Sequence, residues 1–196
     1  MRLTLAILCP MSAVGGTALL TTALFCLLAT SWAADKPQTT RKTLEQPTEI
    51  QGYPCAKGYA WFFADGKLAN CTVSREVAFG EARIPAGSWI TLLPDGTPRI
   101  AQLKHDAKVA GMLCMGGGLL GPSEGAMTAF YRSGKLEQCF LAGDQTVQGV
   151  PCMNGGIFGD GTGSGALFHE NGKLKSCKLT KDYGGRHKGD RFVQGP

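Results

Sequence analysis

Phe168-His169-Glu170-Asn171-Gly172-Lys173-Leu174-Lys175-Ser176-Cys177 reads as an aromatic residue, an Asn-Gly turn and a short second run closing on cysteine. Asn-Gly and Asp-Gly are strong hairpin signals, because a type I′ turn needs positive φ at both central residues. The phrase recurs upstream as FFADGKLANC (Phe62–Cys71), LLPDGTPRIA (Leu92–Ala101) and FYRSGKLEQC (Phe130–Cys139). Recurrence at this period predicts stacked supersecondary units that share one core. The expected fold is all-β: about four stacked β-hairpin repeats forming a β-solenoid-like single domain, stapled by disulfides.

Aligned on the turn glycine, the columns acquire physical meaning. Phe62, Leu92, Phe130 and Phe168 precede the turn; Cys71, Ala101, Cys139 and Cys177 follow it, then Val73, Leu103, Leu141 and Leu179. In a hairpin with a two-residue loop, Phe62 would face Ala69 and Ala60 would face Cys71. Side chains alternate along a strand, so the aromatic, cysteine and aliphatic columns share one face. A bulged turn would shift the pairing by one residue and is expected to swap the faces. Between the hairpins runs a second signature: IQGYPC at Ile50, VAGMLC at Val109, VQGVPC at Val147 and a degenerate copy near Phe79-Gly80. The final Val193-Gln194-Gly195-Pro196 begins it again, as a terminal pairing strand or truncated cap would.

Length and composition divide the chain. Residues 3–30 carry no charge, Arg2 precedes them, and Ser31 and Ala33 put small residues at the −3 and −1 positions of a cleavage site. That pattern predicts a signal peptide over 1–33, or a membrane anchor if it is not cleaved. Residues 34–48 are polar, with one Leu and no aromatic, and are expected to be a flexible tether. The folded domain is then expected over 49–196, in the periplasm or outside the cell. The formal net charge of +5 is spread along the chain and is no evidence for a nucleic-acid partner. A membrane contact is expected only through a retained leader.

Cys9 and Cys26 fall in the leader; Cys55, Cys71, Cys114, Cys139, Cys152 and Cys177 remain. The second unit has Ala101 in the closing column and no cysteine near the opening one, so both are missing together. This joint absence predicts pairing within units: Cys55–Cys71, Cys114–Cys139 and Cys152–Cys177. No Cys-x-x-Cys spacing occurs among these six, which disfavours zinc. No metal and no cofactor is expected.

Two glycine-rich insertions, MGGGLLGPSEG and MNGGIFGDGTGSG, separate an opening cysteine from the following hairpin. Insertions at equivalent places in an array project to one side, often the binding side. The candidate binding-loop residues are Gly116, Gly118 and Glu124 in the first, and Asn154, Gly156, Asp160 and Gly163 in the second. Gly159–Gly165 lacks the Gly-Lys-Ser/Thr and following helix of a phosphate loop, and a lone Asp160 makes no calcium cage. Asp106, Asp144 and Asp182 recur in register, as a cation stripe or, more simply, as turn caps. No nucleophile, base and orienter converge in the sequence, and no catalytic residue is assigned.

The strings FHENGKLKSC, FYRSGKLEQC and FFADGKLANC resemble the second class of MORN repeats (membrane occupation and recognition nexus). The resemblance covers the hairpins from about Tyr53 to Leu179, without the insertions. Longer units, cysteine pairs and the V-x-G-x-P-C opener depart from that family. The chain looks closer to exported bacterial proteins built from cysteine-bearing copies of the unit. The resemblance implies an interaction scaffold and supplies no catalytic residues. The expected function is non-catalytic binding of a protein, envelope polymer or surface, with Trp61, Trp89 and Tyr131 as aromatic anchors. The alternatives are a secreted hydrolase using Asp160, His169 and Glu170, or an immunity or inhibitor protein. The intact mass of the exported protein should begin at Ala34 and rise on reduction by the hydrogens of three cystines; a full-length mass with free thiols would refute both export and pairing.

Overall fold

In the computed structural model the described residues are 38–117, 127–154 and 165–196, and every regular element among them is a strand. β1 (Thr39–Leu44), β2 (Thr48–Ile50), β3 (Tyr53–Phe63) and β4 (Leu68–Val73) come first. β5 (Val77–Phe79), β6 (Ala82–Ile84), β7 (Trp89–Leu92) and β8 (Pro98–Gln102) follow, then β9 (Ala107–Val109), β10 (Met112–Cys114), β11 (Met127–Phe130) and β12 (Leu136–Cys139). β13 (Gln145–Val147), β14 (Val150–Cys152), β15 (Ala166–Phe168), β16 (Leu174–Lys178) and β17 (Arg191–Val193) complete the chain.

The main sheet is antiparallel throughout, in the order β1-β3-β4-β7-β8-β11-β12-β15-β16-β17, with β2 paired to the start of β3. Its body is the set of hairpins β3–β4, β7–β8, β11–β12 and β15–β16, each carrying one of the recurrent turns. The chain's last strand, β17, pairs with β16 and closes that edge, as the reappearing signature predicted.

The other edge differs from expectation. Thr39–Leu44, expected within the flexible tether, is β1, antiparallel to β3 from Thr39 opposite Phe63 to Leu44 opposite Gly58. Its polar composition misled because pairing at an edge is made by the backbone and needs no buried side chain. Arg41 lies over the Tyr59 ring at 4.4 Å and Lys42 over Phe62 at 4.9 Å, so the cations cover aromatic faces. Charge on an outer strand also discourages pairing with another chain.

The turns are corrected as well. At Ala64-Asp65-Gly66 the Phe63 carbonyl accepts the Gly66 N–H at 2.9 Å and the Phe63 N–H donates to Lys67 O at 2.8 Å. Only the glycine has positive φ: 81° at Gly66, 84° at Gly96, 78° at Gly134 and 84° at Gly172. These are three-residue loops, a type I turn followed by a left-handed glycine. In three of the four the preceding Asp or Asn supports this form by accepting a local N–H: Asp65 from Lys67 (3.0 Å), Asp95 from Thr97 (2.9 Å) and Asn171 from Lys173 (2.9 Å); Ser133 precedes a turn of the same backbone geometry. A bulge then restores the register. Phe62 pairs with Leu68, whereas Ala60 still pairs with Cys71 as expected, and the aromatic and cysteine columns keep one face.

Type I′ geometry occurs instead in the second signature, which forms a row of short hairpins. Gln51-Gly52, Ala110-Gly111 and Gln148-Gly149 all have positive φ at both positions. These turns join β2 to β3, β9 to β10 and β13 to β14, and β5–β6 occupies the degenerate copy. The short hairpins contribute Phe79, Ile84, Val109, Val147 and Val150 to the same buried cluster as Phe62, Leu92, Phe130 and Phe168 of the long hairpins. Phe79 meets Phe130 edge-on at 5.2 Å.

The disulfides form in the expected pairs: Cys55–Cys71, Cys114–Cys139 and Cys152–Cys177, with Cα atoms 5.8, 5.7 and 5.6 Å apart. Each joins the closing strand of a short hairpin to the second strand of a long one. In the second unit Ile84 and Ala101 take those places, both fully buried. A larger aliphatic and a small one fill there what two sulfurs fill elsewhere. Replacing Cys114 and Cys139 together by alanine should lower unfolding free energy by about 2–4 kcal/mol. Urea denaturation would show the loss; an unchanged midpoint would make the bridge energetically idle.

Candidate binding face

Alternation divides the long sheet into a core face and an outer face. Ala60, Cys71, Ile90 and Ala101 point into the core and are fully buried. Their neighbours Trp61, Asn70, Trp89, Thr91, Ile100 and Gln102 point outward and are half-buried. Trp61 and Trp89 come from neighbouring hairpins and meet edge-to-face with centroids 4.8 Å apart; Tyr59 joins them at 6.1 Å. Tyr59 is the most exposed of the three, at 52%. Arg41 lies over it from β1. An aromatic cluster with one cation beside it, on an open face, suits flat or amphipathic partners.

Of the expected anchors, Trp61 and Trp89 are brought together and Tyr131 is placed elsewhere. Tyr131 directly follows β11, and its hydroxyl donates to the Phe168 carbonyl at 2.8 Å, tying one long hairpin to the next. Burial, then the charges of Glu137 and Glu170, push that hydroxyl's pKa up. Burial also raises the Tyr53 hydroxyl, which donates to Gly96 O at 3.3 Å. Tyr59 and Arg41 were missed as site residues. Tyr59 was legible from the period-two spacing to Trp61, but Arg41 required knowledge that β1 exists.

Gly116 and Asn154 of the candidate loops stand at the starts of the two insertions. The Gly116 N–H donates to Asp106 Oδ1 and the Asn154 N–H to Asp144 Oδ1, both at 2.9 Å. In the tail the Lys188 N–H donates to Asp182 Oδ1 at 2.8 Å. The recurrent aspartates are therefore anchors for chain crossings rather than caps of their own turns. A Cβ on Gly116 would overlap the His105 carbonyl, which explains the glycine sterically. Gly118, Glu124, Gly156, Asp160 and Gly163 lie outside the described residues.

His169 and Glu170 adjoin the turn of the last long hairpin, where His169 Nε2 lies 2.9 Å from the Gln194 carbonyl. His187 Nδ1 lies 3.4 Å from Asp182, both largely exposed. Among the described residues no group of three or more His, Cys, Asp or Glu side chains converges as a metal site, and no helix is long and apolar enough to cross a membrane.

The turns of neighbouring long hairpins are linked by charge. Arg99 bonds Glu137 and the Phe130 carbonyl, and Arg132 bonds Asp95. The Thr97 N–H, with Arg132 adding to it, holds the Asp95 carboxyl at about 2 against an ordinary 3.8. A depressed carboxyl stabilises the fold above its unfolded pKa, and that contribution is lost as pH falls through the folded value. A carbon-detected NMR titration should give Asp95 a midpoint near the value of about 2, with the turn losing its support between the ordinary 3.8 and there. A midpoint at the ordinary value would refute the linkage. A scan against protein-family models, a search of curated proteins and a search of solved structures each return no match.

Proposed function

We propose that this chain is an exported, non-catalytic β-hairpin scaffold that recognises a protein, an envelope polymer or a surface. The observation that carries the reading is the Tyr59–Trp61–Trp89 cluster on the open face of the sheet, with Arg41 above Tyr59. Aromatic side chains offer large contact area at low entropic cost, and they dominate binding hot spots. The long sheet supplies a stiff, extended platform that continues past them through Ile100, Met127 and Leu167, all half-buried on the same face.

Export is supported by the leader-like 1–33 segment and by three intramolecular disulfides, which persist in oxidising compartments. The similarity of the turns to MORN repeats supports the scaffold reading in the same sense. Replacing Trp61 and Trp89 together by alanine should weaken capture of envelope fractions at least about tenfold, equivalent to ~1.4 kcal/mol. Melting should shift only slightly, because both rings are partly solvated. Undiminished capture by the folded double variant would overturn the assignment of this face.

A further inference from the structure

The first residues of the short-hairpin turns, Gln51, Ala110 and Gln148, share one backbone conformation, with φ of 53°, 48° and 49°. Two of the three side chains do the same work. Gln51 Oε1 accepts the Leu68 N–H at 3.1 Å, and Gln148 Oε1 accepts the Leu174 N–H at 2.9 Å. Gln148 Nε2 also donates to the carbonyl of Gly172 at 2.8 Å. One carboxamide thus spans a backbone donor and a backbone acceptor beside the turn of a long hairpin.

The donor arises from the turn geometry. Just beyond the three-residue loop, the leucine pairs with the preceding aromatic residue at a place where its N–H points away from that partner. A buried amide directed there needs an acceptor from outside the hairpin. In the second unit the same place is Pro98, opposite Leu92. Proline has no N–H, and the corresponding short turn carries Gly80 in place of a glutamine.

The third unit breaks the pattern. Leu136 pairs with Phe130 as Leu68 does with Phe62, so its N–H is directed the same way. Leu136 is 7% exposed. The residue at the position of Gln51 and Gln148 is Ala110, and among the described residues no side-chain acceptor reaches Leu136. A cavity of about 430 Å³ borders both Ala110 and Leu136, and Gln148 and Gly172 of the next unit line its far side. Ala110, Met112, Leu136 and Phe168 give it apolar walls, Gly134 lies on it, and Glu81 and Lys135 also line it.

We propose that this cavity is a binding site for a primary carboxamide, the side chain of a glutamine presented by a polypeptide partner. Its oxygen accepts the Leu136 N–H and its NH2 group donates to the Gly134 carbonyl, reproducing what Gln148 does at Leu174 and Gly172. The apolar walls take the methylenes of that side chain. A carboxylate supplies the acceptor but no donor. The trans amide of an N-acetylated sugar places its N–H and C=O on opposite edges, so it cannot serve both groups at once. This site is separate from the aromatic face and does not depend on it.

The test uses the full disulfide-bonded protein, labelled with nitrogen-15 and titrated with N-acetylglutamine N-methylamide. The Leu136 amide resonance should move saturably, while Leu68 and Leu174, already satisfied internally, stay in place. N-acetylleucine N-methylamide shares the probe's backbone amides and should have no such effect. Ala110→Gln introduces the residue already tolerated at positions 51 and 148. That variant should raise the melting temperature and weaken the response at least tenfold. The Trp61→Ala/Trp89→Ala variant should respond as the parent does. An unmoved Leu136, an equal response to the leucine probe or to N-acetylglucosamine, or an undiminished response in Ala110→Gln would overturn the proposal.

Discussion

The bridge between a short hairpin and a long one is the constraint on which the rest of this structure depends. A hairpin of three-residue strands buries too little surface to hold its own place, and a single-layer sheet leaves one face wet. Joining the rows at Cys55–Cys71, Cys114–Cys139 and Cys152–Cys177 makes one core from two incomplete faces. The unit without a bridge shows what the sulfurs replace: Ile84 and Ala101 are fully buried in the same cluster. There, ordinary packing carries the load, supported on either side by bridged units.

Once the two rows are joined, the remaining contacts run between neighbours. Main-chain ladders carry the long sheet from β1 to β17. Links between successive turns repeat the same logic with different chemistry: Tyr53 to Gly96, Arg132 to Asp95, Tyr131 to Phe168. Each satisfies or covers a carbonyl or carboxylate that a lone hairpin would expose. The exposed ion pairs among them contribute little energy. Their effect is to fix which turn lies beside which, and so to orient the outer face.

That division of labour leaves the outer face comparatively free. Core positions are committed to the fold, whereas Tyr59, Trp61 and Trp89 contact one another and solvent. Aromatic side chains of this size gain most from burial, and here burial is incomplete. The same principle applies on a smaller scale at Ala110. In an array of similar units, a position where one copy omits what two others supply is where a ligand can enter.

The all-β class, the hairpins and the cysteine pairs were legible in the chain because each rests on local chemistry or on comparison between copies. Asp-Gly and Asn-Gly mark a reversal wherever they occur, and the joint absence of both cysteines from one unit identifies partners without a structure. The alternation that put Phe62, Cys71 and Val73 on one face was equally local, and it survived the bulge. Other features needed the tertiary structure. Whether a turn has two or three residues was not legible from its dipeptide: the Ser133-Gly134 turn takes the three-residue form that Asp65-Gly66 takes, without the bond from Asp65 to Lys67. The Thr39–Leu44 strand depends on an open edge of β3, which leaves no trace in a polar sequence. The glutamines that complete some turns, and the alanine that leaves one open, are far in sequence from the amides concerned: Gln148 reaches Leu174 and Gly172 across an intervening insertion. Periodicity reports which face a residue takes, because neighbouring dihedrals determine it; which distant group lies opposite is decided only when the rows pack.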